Sequence, residues 1–247
     1  MKKANLTFLL IILFFEFSFV SIVSAQNDAR ILLYHDVSRE ITDTNIATAM
    51  PFEKFTEQMY YLYDSGYTAI TVSELFKGIK DETLPEKVVV ITFDDGYLHI
   101  YNEVFPFLKE LGFTATTYLV GEKINLPKNL SGEMVREMYE AGWEIGSHSM
   151  SHSDLPATED LDYEICFSRQ AISVAAEIPI EDIVSFAYPF GNADERVMTK
   201  VYKCGFENGG GLGNMFVTKD SNPYYFARYS LFSNISHESF IKLFKGL

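Results

Sequence analysis

From residue 30 onward the chain alternates between short apolar runs and longer segments with helical spacing, and this alternation limits the fold more than any other feature. The runs "RILLY" (30–34), "YTAIT" (67–71), "KVVVITF" (87–93), "TATTYLV" (114–120), "WEIGSH" (143–148) and "IVSFAY" (183–188) read as strands, with a last one around 226–232. Between them, helices are expected over 52–66, near 73–79, and over 102–111, 131–141, 159–177 and 194–203. Phe52, Phe55, Met59 and Leu62 share one helical face, Gly66 ends that helix, and Ser131 and Gly142 bracket another. Strands joined through helices make a mostly parallel sheet with crossover connections. No GxGxxG follows the first strand, so the pattern favours a distorted (β/α) barrel of roughly seven parallel strands over a dinucleotide-binding sheet. With 247 residues and 47% hydrophobic content, the chain supports one sizeable core and a single domain, taken as 26–247.

The first 25 residues stand apart. A short basic start, an apolar stretch and the small-residue ending Val23-Ser24-Ala25 form a secretory signal peptide cleaved after Ala25. The competing reading is an uncleaved anchor, since the apolar part is long, although Glu16 interrupts it. Export to the periplasm or outside the cell is therefore expected, with no stable membrane span after cleavage. Cleavage removes Lys2, Lys3 and Glu16 and takes the formal charge from −14 to −15. A chain this acidic argues against recognition of nucleic acid or other anionic polymers, which depends on cationic side chains, and its plainer reading is solubility. Cys166 and Cys204 are either one disulfide or two buried thiols. Nothing in the sequence speaks to oligomeric state.

In a barrel of this kind, functional groups gather where the strands end. His35 follows "ILLY", Asp94 and Asp95 follow "VVVITF", His148 and His152 follow "WEIG", and "YPFG" (188–191) follows "IVSFA". Four strands thus deliver polar groups to one end. Histidines four apart can reach a single divalent ion, and a carboxylate would complete a three-ligand site with an open position. The adjacent Asp pair then has a division of labour: one ligates, and its neighbour accepts a proton from water. Taken singly, each piece has a plainer reading. A His pair at this spacing is weak, adjacent Asp residues often make a turn or cap, and "YPFG" is a turn signal. His237 opens a polar helix start and reads as a surface residue, while His99 reads as local packing.

"TFDDG" (92–96) and "HSMSH" (148–152), in order and properly separated, resemble the first two motifs of the polysaccharide deacetylases of the NodB-homology type, carbohydrate esterase family 4. The resemblance runs from about residue 30 to the end and implies a distorted (β/α) barrel that removes acetyl groups from a glycan. It implies Asp94 as general base and Asp95, His148 and His152 as ligands of one divalent metal, zinc first, with cobalt, nickel or iron also suited. It further implies oxyanion or substrate contacts from the 188–191 loop, through the Phe190 N–H and Tyr188. Two departures stand out. The third-motif Arg is replaced by Ala187, and no late Leu-x-His motif supplies a general acid. Both look similar to exported poly-N-acetylglucosamine deacetylases, in which a first-strand "YH" provides the acid, here His35 in "LLYHDV".

Arg228, inside the apolar alternation of "YYFARYSLF", is the substitute for the missing Arg; its alternative is a surface place at a strand edge. The substrate implied is an acetylated polysaccharide, a β-1,6-linked N-acetylglucosamine polymer foremost. Chitin oligomers, peptidoglycan and xylan remain open. So does a non-catalytic glycan-binding role on the same fold, although a binding protein needs no proton-transfer pair.

Overall fold

The strand "VVVITF" is buried along its whole length, because helices cover one face and the inside of a curled sheet covers the other. The structure is a computed structural model and describes residues 28–40 and 49–244; the expected signal peptide lies outside them. The strands are β1 (Asp28–Tyr34), β2 (Val37–Ser38), β3 (Met50–Pro51), β4 (Thr68–Ile70), β5 (Val88–Phe93), β6 (Thr116–Leu119), β7 (Glu144–Ser147), β8 (Ser185–Ala187), β9 (Asn208–Gly210), β10 (Val217–Thr218) and β11 (Tyr229–Ser230). The helices are α1 (Phe52–Asp64), α2 (Val72–Asp81), α3 (Phe105–Glu110), α4 (Gly132–Glu140), α5 (Ser168–Ala176), α6 (Glu195–Lys203) and α7 (His237–Lys242).

The main sheet runs β10-β1-β5-β6-β7-β8-β9, with β4 also paired to β5 and β11 also paired to β1. Every pairing in it is parallel except β1 with β10. Phe226 bridges Gly210 at one end of this path, and Tyr229 and Ser230 pair with Leu32 and Leu33 near the other. The single segment 226–230 thus links both ends of the curl, and the result is a distorted barrel. One apolar cluster, with Phe55, Met59, Trp143, Ile145 and Phe186, lies between sheet and helices. A second, with Ile31, Val90, Tyr118 and Phe226, includes Val72, Leu75 and Ile79 of α2.

Local chemistry sets the helix ends. Thr71 and Glu74 form a capping box on α2, while Ser131 and Asp194 accept the Met134 and Val197 N–H groups at the starts of α4 and α6. Three features differ from the sequence reading. The expected helices over 102–111 and 159–177 each begin with a wide π turn, at Ile100–Val104 and Asp162–Phe167. The last strand is shorter than 226–232, since only Tyr229–Ser230 joins the ladder. Asn208–Gly210, too rich in glycine to read as a strand, nonetheless pairs with β8. A Cβ at Gly209 would lie 2.4 Å from the Tyr188 hydroxyl, and one at Gly210 would lie 2.8 Å from Arg228 Nε, so large neighbours require glycine there. Of the two readings open for the cysteines, the structure takes the disulfide, Cys166–Cys204.

Candidate active site

β5 ends at Phe93 and leaves Asp94 at the C-terminal mouth of the barrel, where its N–H donates to the Tyr34 carbonyl at 3.0 Å. Its carboxylate is 2% exposed and is met by both Arg228 nitrogens, Nη1 at 2.7 Å and Nη2 at 2.9 Å. Arg228 is itself 1% exposed, donates from Nε to the Gly211 carbonyl at 3.2 Å, and lies 5.1 Å from the Tyr118 ring centroid. The fork fits because Gly210 leaves space for it. Burial alone would raise the Asp94 pKa, but the guanidinium, with His148 behind it, overrides burial and holds the carboxyl at about 2.

Asp95, the next residue, adopts φ 72, a left-handed conformation that is costly for a residue with a side chain. That twist turns two neighbouring carboxylates toward different partners. Asp94 faces Arg228, whereas Asp95 Oδ1 lies 3.6 Å from His152 Nε2 and 3.2 Å from Lys123 Nζ.

His148 extends β7 and is buried. Its Nδ1 lies 2.8 Å from the Ala187 carbonyl, which can only accept, so Nδ1 carries the proton and Nε2 keeps a lone pair. Burial, only partly opposed by the Asp94 and Asp95 charges, pushes its pKa down to about 4 and keeps the ring neutral near pH 7. His152 is lowered too, by burial, with Asp95 opposing. The ligand atoms of Asp95, His148 and His152 all lie within 4.8 Å of one another. Two neutral imidazoles, one with a fixed tautomer, and one carboxylate form a donor set that fits a divalent metal.

His35 follows β1 and lines the same cavity of about 270 Å³ as Asp94, Asp95, His148, His152, Tyr188, Phe190 and Arg228. Its Nδ1 is buried without a hydrogen-bond partner, and its ring stacks on Phe232 with centroids 6.3 Å apart. Phe190 is 59% exposed and sets its ring 4.8 Å from that of His152, on a backbone with φ 59. Tyr188 contributes its ring to the wall while its hydroxyl donates to the Tyr224 carbonyl at 2.7 Å. His237 opens α7, 3.4 Å from Glu57, and is not among the residues lining this cavity. His99 pairs with buried Asp36 at 2.9 Å. A larger open groove of about 800 Å³, between residues 159–162 and α6, carries mixed surface charge and none of these groups.

Sequence reading missed two site residues, Lys123 beside Asp95 and Glu164 beneath the 148–152 loop. Neither sits in a motif, and each reaches the site only through the fold.

Residues 81–209 match the family model for polysaccharide deacetylase, and the chain belongs to that family. Over 213 residues it is 27% identical to YxkH, a homologue from Bacillus subtilis, covering 85% of this chain and 74% of that one. It is also 25% identical over 256 residues to the poly-beta-1,6-N-acetyl-D-glucosamine N-deacetylase of Staphylococcus aureus, covering 90% of this chain and 84% of the relative. A Streptococcus pyogenes deacetylase solved with acetate has the same fold, with a TM-score of 0.79 and 21% identity over 87% of this chain and 97% of that one.

Proposed function

We infer that the chain is a metal-dependent hydrolase that removes N-acetyl groups from an exported polysaccharide, foremost a β-1,6-linked N-acetylglucosamine polymer. The observation that carries this reading is the sharing of one cavity by two chemically distinct units: a carboxylate locked to Arg228 and a separate Asp-His-His donor set. Binding alone would require neither.

Asp95, His148 and His152 would hold the metal, zinc by donor type with cobalt, nickel and iron also suited, and it would supply Lewis acidity toward the acetyl carbonyl and a more acidic water. Asp94 accepts the proton of the attacking water. It is available as a base because Arg228 keeps it ionised despite burial. The Phe190 N–H donates to the developing oxyanion, while Phe190 and Tyr188 form the wall beside it. His35 gives a proton to the departing nitrogen, so that water and amide become acetate and amine.

Three things support the β-1,6-linked polymer: the Staphylococcus aureus relative's name, the first-strand position of His35, and the late-segment Arg that stands in for a third-motif Arg. Export rests on the leader-like N-terminus. Among the described residues no helix is long and apolar enough to cross a membrane.

The test is acetate release by metal-loaded protein from β-1,6-linked N-acetylglucosamine oligomers, chitin oligomers, peptidoglycan and acetylated xylan. Release from the first is expected to exceed the others. Release from another glycan alone would move the substrate, and release from none, with binding retained, would make this a glycan-binding protein.

A further inference from the structure

The loop that carries both histidines is held in an unfavourable backbone shape. Ser149 has φ 65 and His152 has φ 68, and neither is glycine. Residues in this region persist only when their surroundings over-determine them. Part of the restraint is local, since the His152 N–H donates to Ser149 Oγ at 2.9 Å. Part comes from the neighbouring loop, where the Gly121 and Glu122 N–H groups donate to the Ser149 and Met150 carbonyls at 3.0 and 2.9 Å. The tip between the histidines is held by a different group. Glu164 Oε2 accepts the N–H of Met150 at 3.2 Å and of Ser151 at 3.0 Å, and its Oε1 accepts the Ser151 hydroxyl.

Glu164 is 4% exposed and, among the described residues, forms no ion pair. A buried carboxylate without a cation depends on hydrogen-bond donors to replace the water it has lost. Here the loop tip supplies three, so loop and carboxylate each satisfy the other. Glu164 sits on the wide turn Asp162–Phe167, and π turns of this kind frequently accompany functional sites. That turn is fastened at its start by Lys200 to Asp162 at 2.6 Å, by buried Ile165, and by the Cys166–Cys204 disulfide.

We propose that Glu164 is the positioning residue that sets the His148–His152 loop in ligand geometry. It acts through Met150 and Ser151 without touching substrate or metal. The proposal rests on the reading of Asp95, His148 and His152 as a metal site.

The experiment measures cobalt(II) binding and the cobalt(II) visible spectrum in wild type, Glu164→Ala and Glu164→Gln, together with amide exchange at Met150 and Ser151. Glutamine can present its carbonyl oxygen to both N–H groups and its amide to Ser151 Oγ. It should therefore restore what alanine loses. Expected for Glu164→Ala is a 10–100-fold weaker cobalt(II) affinity, about the usual loss when a group supporting a ligand is removed, with an altered spectrum and faster exchange at both amides. Glu164→Gln should stay close to wild type in all three. If Glu164→Ala does not fold, Glu164→Asp, which withdraws the carboxylate by one methylene, should show the same loss. Wild-type affinity, spectrum and exchange in the alanine or aspartate variant would overturn the proposal alone, as would equal loss in the glutamine variant. Failure of wild type itself to bind cobalt(II) would overturn the metal reading and this proposal with it.

Discussion

At the scale of single residues, the proposed division between Asp94 and Asp95 follows from what each carboxylate faces. Asp94→Asn should keep the metal and lose turnover by about 10²–10⁴-fold, the usual worth of a general base. Asp95→Asn, His148→Ala and His152→Ala should lower metal content as well. Metal loss in Asp94→Asn with retention in Asp95→Asn would reverse the roles. Arg228 gives a second prediction with a definite sign. The folded pKa of Asp94, about 2, lies below the free-carboxylate value of about 3.9. Its contribution to stability is therefore complete above the free value and is lost as pH falls through that window toward 2. Arg228→Met leaves a buried carboxylate without its cation. It should cost roughly 3–5 kcal/mol in urea unfolding near pH 7 and move the acidic limb of the rate–pH profile upward. The double variant with Asp94→Asn should recover part of that stability. An unmoved acidic limb would remove Arg228 from the role proposed for it. The pairing was partly legible in the sequence, because a charge inside an apolar alternation requires a partner, but which carboxylate it meets is a property of the fold. The sequence had no means of showing the left-handed turn at Asp95 that lets neighbouring acids face apart.

At the scale of elements, strands such as Val88–Phe93 and helices such as Phe52–Asp64 were legible because their apolar residues repeat with the right period. Asn208–Gly210 was not, because its glycines exist to admit Tyr188 and Arg228, and that demand comes from elsewhere in the chain. Wide turns at Ile100–Val104 and Asp162–Phe167 escaped for a related reason: one extra residue in a turn barely changes an apolar pattern. The disulfide joins the second of these turns to the end of α6 across a separation of 38 residues. A loop of that length corresponds to about 4 kcal/mol of chain entropy, and the usual measured range is about 2–4 kcal/mol. Cys166→Ser with Cys204→Ser should lower unfolding stability by that amount under oxidising conditions, while reducing agent should leave the double variant unaffected. A variant as stable as oxidised wild type would show that the bridge contributes nothing. The first and last elements set up a contrast of histidines. His35 extends β1 into the cavity and His237 starts α7 beside Glu57. His35→Ala should reduce turnover and remove the basic limb of the rate–pH profile with metal retained, and His237→Ala should not. Equal loss in both folded variants would reject His35 as the acid.

At the scale of the whole molecule, the barrel brings together groups from the first strand, the middle strands and the last segment, and Asp94 meets Arg228 across a separation of 134 residues. The order of strand-end residues in the sequence foretold which groups would meet, since parallel strands in one sheet deliver their C-terminal ends to one side. It did not foretell how the ends of the sheet join, because the segment 226–230 makes only short pairings at either edge. Closure therefore rests on short strand pairings together with the buried Arg228–Asp94 fork, and the candidate ligand set sits at the centre of the mouth. A metal held there by residues from the β5 and β7 loops would tie parts of the sheet that the strand ladder alone joins, and it would bind the folded chain only. Such a ligand stabilises by RT ln(1 + [L]/Kd), about 2.7 kcal/mol at a hundredfold excess over Kd. Removing metal with a chelator should accordingly lower the melting temperature, and added zinc should restore it in proportion to the logarithm of its concentration. Asp95→Asn should melt near the chelated value and respond little to zinc. Asp94→Asn, whose carboxylate lies outside the ligand set, should still gain stability from zinc even though it is nearly inactive. A melting temperature indifferent to zinc in wild type, or a zinc response surviving in Asp95→Asn, would show that these three residues do not form the metal site.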